Sequence, residues 1–183
     1  MIPLKEQRTT EVFELKYIGE VIGKAETKPT DWYSLGFEMN EGDTVVAARS
    51  GRVIEIEDNI IVENSEALSF KEKRNYVEIL HKDGTIGKYE LFQKGGIFVR
   101  PGDNIIAGEA IGIIDGTQYT SGAHVRFHVY YAKKEGGYGY VPLKFYVNDK
   151  ISSLKVGASY EVSHSESIIE EELTKKQKKR RKH

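Results

Sequence analysis

The sequence predicts an all-β domain on three observations: strand-forming runs at short intervals, a strong hairpin signal, and an internal repeat. Runs rich in β-branched and aromatic residues, bounded by Gly, Asp or Asn, recur from Thr44 to Val147. In chain order they predict strands at Thr44–Ala48, Arg52–Glu57, Tyr76–His81, Ile86–Phe92, Asn104–Ile106, Ala110–Ile114, His124–Tyr131 and Leu143–Val147. Asp83-Gly84, between the third and fourth, is a hairpin turn signal. Turn signals about every ten residues suggest a sandwich or barrel, and no amphipathic helix is expected in this region.

The repeat lies in the turns and the strands they feed. Glu41-Gly42-Asp43-Thr44-Val45-Val46-Ala47 is echoed by Pro101-Gly102-Asp103-Asn104-Ile105-Ile106-Ala107. Each copy then reaches a second apolar strand, Gly51-Arg52-Val53-Ile54 or Ala110-Ile111-Gly112-Ile113. One supersecondary unit used twice can pair about a pseudo-twofold axis and share a core.

Composition narrows the function. A chain of 183 residues suffices for one domain with a real core plus tails. With 27 basic and 28 acidic residues the formal charge is −1, so no global field recruits nucleic acid or anionic membrane, and only the C-terminus offers a local basic attraction. The absence of cysteine removes thiolate nucleophiles and Cys-held zinc together. No stretch approaches the roughly 18 apolar residues that span a bilayer, and the polar Met1–Thr10 is not a signal peptide, which leaves either a cytosolic protein or one whose export signal lies outside this sequence. After Tyr160, Ser167-Ile168-Ile169-Glu170 reads as a capping box opening a short helix. Glu171 and Glu172 stand four residues before Lys175 and Lys176, in the favourable order for helical ion pairs. The chain closes on Lys178-Lys179-Arg180-Arg181-Lys182-His183, either a solvated tail or an anchor for an anionic surface. The expected organisation is an N-terminal extension (1–30), a β domain (31–160) and a charged C-terminal tail (161–183).

The segment from Trp32-Tyr33-Ser34-Leu35-Gly36 through Glu41-Gly42-Asp43 to Gly51-Arg52-Val53 resembles the lysostaphin-type (LytM-like) zinc peptidases. Those proteins show H-x-x-x-D, then a Gly-Thr/Asp turn, then V-x-A-x-x-x-G-x-V. The likeness continues through Tyr76–Thr85, Val99–Asp103 and Gly108–Gly112. It ends in Thr120-Ser121-Gly122-Ala123-His124-Val125-Arg126-Phe127, similar to the family's S-x-G-P-H-L-H-F. The resemblance implies a duplicated hybrid motif, a LytM/lysostaphin-type antiparallel β-sheet sandwich. It also implies a peptidoglycan endopeptidase ancestry and an extracytoplasmic setting, periplasmic or secreted, with any export signal outside this sequence.

In active relatives an open, three-ligand zinc lowers the pKa of its water and a nearby base takes the proton. The ligands are the His and Asp of H-x-x-x-D and the second His of H-x-H. The first His of H-x-H and a His in Y-x-H assist. Carried over by position, the ligands fall on Trp32, Gly36 and Arg126, and the Y-x-H histidine on Leu91. Only the first H-x-H histidine remains, as His124. Trp offers no lone pair, Gly no side chain, and Arg a permanent positive charge. His124, Arg126 and His128 share one strand face, but residues four apart lie about 13 Å apart, too far to share a metal. His81 could approach His124, which would still make a weak pair.

No metal ligand and no cofactor are therefore expected, zinc belonging to the active relatives, and the catalytic set is reduced to the remnant position His124. A former cleft lined by Trp32, Tyr33, Tyr89, His124, Arg126 and His128 would suit a cell-wall peptide or glycan bearing carboxylates, or an envelope protein. Alternatively Trp32 and Arg126 fill the vacated cavity, with Arg126 paired to Glu38 or Glu90. The leading expectation is an inactive binding or regulatory domain at the bacterial cell envelope; the alternative is an active zinc endopeptidase with an altered site. A lipoyl- or biotinyl-type carrier would need a lysine motif at a hairpin tip that Lys82-Asp83-Gly84 does not supply. The bulkier Asp115–Tyr119 and the polar insertion Asn59–Asn75 are expected to reshape the rim.

Overall fold

Side chains that alternate between a hydrocarbon interior and a polar face leave the strand backbone to be satisfied by neighbouring strands. The structure, a computed structural model, describes residues 8–14, 20–21, 24–25, 33–61, 74–115, 122–147, 150–162, 166–173, 175 and 178–179. Strands β1 (Arg8–Glu14), β2 (Glu20–Val21) and β3 (Lys24–Ala25) come first. Then follow β4 (Ser34–Glu38), β5 (Thr44–Val46) and β6 (Gly51–Glu57). Next are β7 (Tyr76–Leu80), β8 (Ile86–Glu90), β9 (Phe92–Ile97), β10 (Asn104–Ile105) and β11 (Ala110–Ile114). The long β12 (His124–Ala132) and β13 (Tyr138–Tyr140) form a hairpin, succeeded by β14 (Phe145–Val147), β15 (Lys150–Ser152) and β16 (Ser159–Val162). The helix α1 spans Glu166–Glu172.

The main sheet runs β10-β6-β7-β8-β12-β4-β1-β16, with β13 also on β12, and a second sheet runs β5-β11-β9. Every pairing in both sheets is antiparallel. The fold is therefore all-β and antiparallel, as expected. The expected strands appear within one or two residues of their expected bounds, except that Ile86–Phe92 divides. The division falls at Leu91, a non-glycine residue at φ +83° whose side chain is wholly buried. Leu91 N donates to Asn75 O and Leu91 O accepts from Asp115 N, each at 3.0 Å, so the kink is held from both sides. It passes the chain from the main sheet into the second one.

The internal repeat is a physical duplication. At the first turn Asp43 N donates to Asn40 O (3.0 Å) and Asn40 N returns a bond to the Asp43 carboxylate (2.9 Å). At the second, Asp103 N donates to Arg100 O (3.0 Å) and Arg100 N to the Asp103 carboxylate (2.8 Å). Gly42 and Gly102 hold positive φ, +78° and +102°, where a side chain would be strained. Each copy then grips the other: Ile114 N donates to Asp43 O, and Val53 N to Asp103 O. Reciprocally, β5 pairs with β11 and β6 with β10.

The β7–β8 hairpin closes through Gly84 N to His81 O at 3.0 Å, with Gly84 at φ +85° and Asp83 accepting from Thr85 N, as Asp83-Gly84 foretold. Val53, Val77, Ile79, Phe92, Ile111 and Ile114 fill the centre of the core. Each such side chain contributes roughly 1.5–3 kcal/mol by leaving water. Phe127 joins this core with its ring 4.7 Å from Tyr89. Asn75, nearly fully buried, clips the two ends of the 59–75 insertion: it accepts from Ile60 N and donates to Ile60 O and Phe92 O. Residues 62–73 and 116–121, the expected rim segments, lie outside the described residues.

A small second cluster holds α1. Ile169 and Leu173 are buried against Ala107, with Ile106 beside them. Helix α1 begins at Glu166, one residue before the Ser167 of the expected capping box. Glu172 does not act simply as the expected helical partner of Lys176, which lies outside the described residues. Its carboxylate accepts from Ser50 N (2.7 Å) and Arg49 Nε (3.2 Å), tying α1 to the domain.

Candidate functional site

Strand register builds one polar face across the main sheet. Arg126 on β12 stands between Gly36 on β4 and Glu90 on β8, and Tyr76 on β7 follows Glu90 in the same row. In the next row His128 stands between Ser34 and Lys88, with Glu78 beyond. Alternation puts His124, Arg126, His128 and Tyr130 on this face and sends Val125, Phe127 and Val129 into the core. The face is itself covered: His124 is 0%, Arg126 5% and His128 8% exposed.

His124 and Arg126 form a directed chain. His124 Nδ1 lies 2.8 Å from Gly122 O, and Arg126 Nε donates to His124 Nε2 at 3.2 Å. An Nε2 that accepts must be unprotonated, which puts the ring proton on Nδ1, donating to Gly122 O. Burial lowers the His124 pKa to about 4; the Gly122 carbonyl opposes this, and the charges of Arg126 and Arg74 reinforce it. The imidazole is neutral at pH 7.

The donor set does not fit zinc. At the matched positions Gly36 has no side-chain donor, Leu91 is apolar, and Arg126 keeps its proton at any accessible pH. Trp32 lies outside the described residues, and indole offers no lone pair for a metal. That leaves His124, whose Nε2 lone pair already accepts from Arg126. Nor does His81 come near. Its Nδ1 lies 3.0 Å from Ser50 O, and its Nε2 is 2.8 Å from where a Cβ on Gly87 would sit. Gly87 pairs with Val129, five residues from His124 on β12, or roughly 16 Å at a strand's rise. The expectation that His81 could approach His124 is thus corrected: it stands at the other end of the sheet. Among the described residues no three His, Asp or Glu side chains are grouped to hold a metal.

The other expected cleft residues separate. Tyr33 lies just before β4, 40% exposed. Tyr89 has the opposite parity to Glu90, so it points into the core, where its hydroxyl accepts from Ala48 N at 2.8 Å. It does not share a face with Arg126. His128 sits between the rings of Tyr130 and Tyr140, each 5.9 Å away, and burial lowers its pKa although Glu90 and Glu78 oppose the shift. Glu38 and Glu90, the expected partners of Arg126, are the register neighbours of His124 and Arg126 respectively.

Sequence reasoning missed the residues that complete this face. Glu78 accepts a 3.0 Å ion pair from Lys88, which lies 3.9 Å over the Tyr76 ring, and Tyr76 donates to Glu55 at 2.7 Å. The period-two alternation of β7 and β8 carried the signal: Tyr76, Glu78, Lys88 and Glu90 fall on the side opposite Val77, Ile79 and Tyr89.

The fold is thus a duplicated antiparallel β domain with His124 and Arg126 on one face of its long strand β12. Residues 30–137 match the model of peptidase family M23, and the chain belongs to that family. Among solved structures it is similar to the catalytic domain of lysostaphin from Staphylococcus simulans, with 22% identity and a TM-score of 0.45 over 67% of this chain and 79% of that one. It is also similar to LytU, with 23% identity and a TM-score of 0.45 over 67% and 72% of the two chains. A third likeness is to the prophage-encoded M23 protein EnpA from Enterococcus faecalis, with 18% identity and a TM-score of 0.46 over 71% and 87%. Against another lysostaphin structure the chain covers 47% of that chain's length. No curated protein matches. No helix among the described residues is long and apolar enough to cross a membrane.

Proposed function

We propose that this chain is a catalytically silent M23 domain that binds or regulates at the bacterial cell envelope. The observation that carries the reading is the pairing of Arg126 with Gly36 and His124: a guanidinium stands where the resemblance places a ligand histidine, beside a glycine where it places a ligand aspartate. An Arg in this row occupies the space and supplies the charge that a cation would otherwise bring. The partner class that suits it is a cell-wall peptide or glycan with a carboxylate, or an acidic segment of an envelope protein, because guanidinium pairs with carboxylate in a bidentate fork. An extracytoplasmic location follows from the same reading.

Zinc content tests it. The purified chain, before and after incubation with zinc and dialysis, should hold almost none. One firmly held zinc per chain would overturn the reading in favour of an active endopeptidase. The triple variant Trp32→His, Gly36→Asp, Arg126→His should acquire stoichiometric zinc; if it folds and stays metal-free, the positional assignment fails.

A further inference from the structure

Two exposed apolar surfaces of this chain carry opposite charge and lie on opposite sides of the main sheet. The first is a row across the strands, at the end of the polar face remote from His124. Leu80 on β7 stands beside Ile86 on β8, and then come Tyr130 on β12 and Tyr140 on β13. Leu80 is 38% exposed; Tyr138, on the same side of β13, is 62% exposed, and its ring meets that of Tyr130 edge-on at 5.1 Å. The next row holds Glu55, Glu78 and Lys88. Glu57 lies in the row beyond, where Glu90 and Arg126 add one charge of each sign. Three carboxylates thus face one ammonium, and Lys88 is already engaged by Glu78 and the Tyr76 ring. Burial first, and then Glu55 and Glu78, raise the pKa of both Tyr76 and Tyr130. Arg52, at the β6 end of the apolar row, reaches the other way, its Nη2 3.8 Å from where a Cβ on Gly102 would sit.

The second surface is the β14–β15 hairpin. Phe145 anchors it, its ring 5.7 Å from that of Phe37 and 6.5 Å from that of Phe127, both of which face the core side of the main sheet. Strand alternation then turns the paired Tyr146 and Ile151 outward, 49% and 62% exposed. Residues 141–158 hold Lys144, Lys150 and Lys155 against the single acid Asp149, a second local basic surface besides the C-terminal run. All three lysines are exposed. The sheet itself separates the hairpin from the Leu80–Tyr138 row, so one chain does not join its own two surfaces. An apolar row bordered by carboxylates repels an anionic lipid or a nucleic acid, and rings at 86° offer a sugar no common flat platform. It suits an apolar pair flanked by lysines, which this chain itself presents.

We propose that the β14–β15 hairpin of one copy docks on the Leu80–Tyr130–Tyr138 row of a second copy of this chain, so that the domain associates with itself head to tail. The two surfaces differ and lie on opposite sides of the sheet, so each contact leaves one of each free and can repeat into an open chain or a closed ring. A small contact assisted by charge is weak and falls with salt. The proposal does not depend on whether the His124–Arg126 face binds a ligand.

Analytical ultracentrifugation of the full chain tests it. At low salt the average mass should rise above that of the monomer between about 10 and 500 µM, and the association constant should fall at least about fivefold by about 0.5 M salt. Two variants remove one surface each: Tyr146→Ser with Lys150→Glu in the hairpin, and Tyr138→Ser with Glu55→Lys on the row. Each should weaken association about 30-fold or more, with an unchanged circular dichroism spectrum. Mixed in equal amounts they should form a dimer holding one of each and nothing larger, because one intact hairpin then meets one intact row. Lys150→Glu alone, at an exposed position, should weaken association about fivefold. A chain that stays monomeric at about 500 µM, a folded variant that associates as the parent does, or a mixture that stays monomeric would overturn the proposal. Binding to phosphatidylglycerol vesicles that the hairpin variant loses, by a chain that is monomeric without lipid, would assign the hairpin to a membrane instead.

Discussion

The two ends of the main sheet each bury a histidine in the same way and use it differently. At one end His124 sets Nδ1 against Gly122 O; at the other His81 sets Nδ1 against Ser50 O. The far nitrogen of His124 accepts from Arg126, whereas that of His81 has no hydrogen-bond partner among the described residues and lies against the Cα of Gly87. His81 is a post: with Ser50 it ties the first repeat to the β7–β8 hairpin, while Ser50 Oγ accepts from Ala107 N of the second repeat. His124 instead has its lone pair capped by a cation, Arg126. A buried imidazole is thus not in itself a sign of chemistry; the partner of its second nitrogen decides.

Acid should give the largest effect. The folded pKa of His124, about 4, lies below its unfolded value near 6.5, so the unfolded chain binds a proton that the fold refuses. That stability is complete above pH 6.5 and is lost as pH falls toward 4, amounting to about 3 kcal/mol from this residue. Burial shifts His81 and His128 in the same direction. Urea unfolding from pH 7 to 4 measures the sum, and histidine NMR titration separates the ends. Arg126→Met should raise the pKa of His124 and leave that of His81 in place. An equal rise at both would contradict the assignment of Arg126 as the local cap.

Packing at the Ser50 end comes next. A Cβ on Gly51 would sit 2.5 Å from Ile79 Cγ2 and 2.6 Å from the Leu80 carbonyl oxygen, which is backbone. Gly51→Ala should cost about 2–3 kcal/mol, read as a lower urea midpoint at constant slope. A loss below about 0.5 kcal/mol would mean that this end yields more readily than its contacts imply.

The smallest effect belongs to the α1 latch. Glu172→Gln keeps an acceptor for Ser50 N but removes the charge that faces Arg49, and should cost about 1 kcal/mol or less, because the ion pair is partly exposed. Faster amide exchange confined to α1 and Ser50 would locate that loss; faster exchange in β12 would show that the two ends are coupled.

Much of the fold is legible in the sequence, because its signals are local. Gly42-Asp43 and Gly102-Asp103 mark turns that require glycine, Asp83-Gly84 marks a hairpin, and Val/Ile runs mark strands. That Gly36, Leu91 and Arg126 offer no side-chain lone pair for a metal was equally legible, since it depends on residue identity alone. Other features were not. β1 carries Thr9, Thr10, Val12 and Phe13 within a polar context, and only its pairing with β4 and β16 makes it a sheet strand. The kink at Leu91 lies inside an uninterrupted strand signal, and its positive φ is imposed by Asn75 and Asp115.

The sequence by itself determined that this is an antiparallel β domain of duplicated units, because turn chemistry and strand period are properties of the residues. Only the tertiary structure decided that Tyr89 turns inward, that His81 stands far from His124, that Arg126 bonds His124, and that Glu172 holds α1 at Ser50. Each depends on strand register and on contacts between residues distant in the chain, and a side chain's partner is fixed only when those strands are brought together.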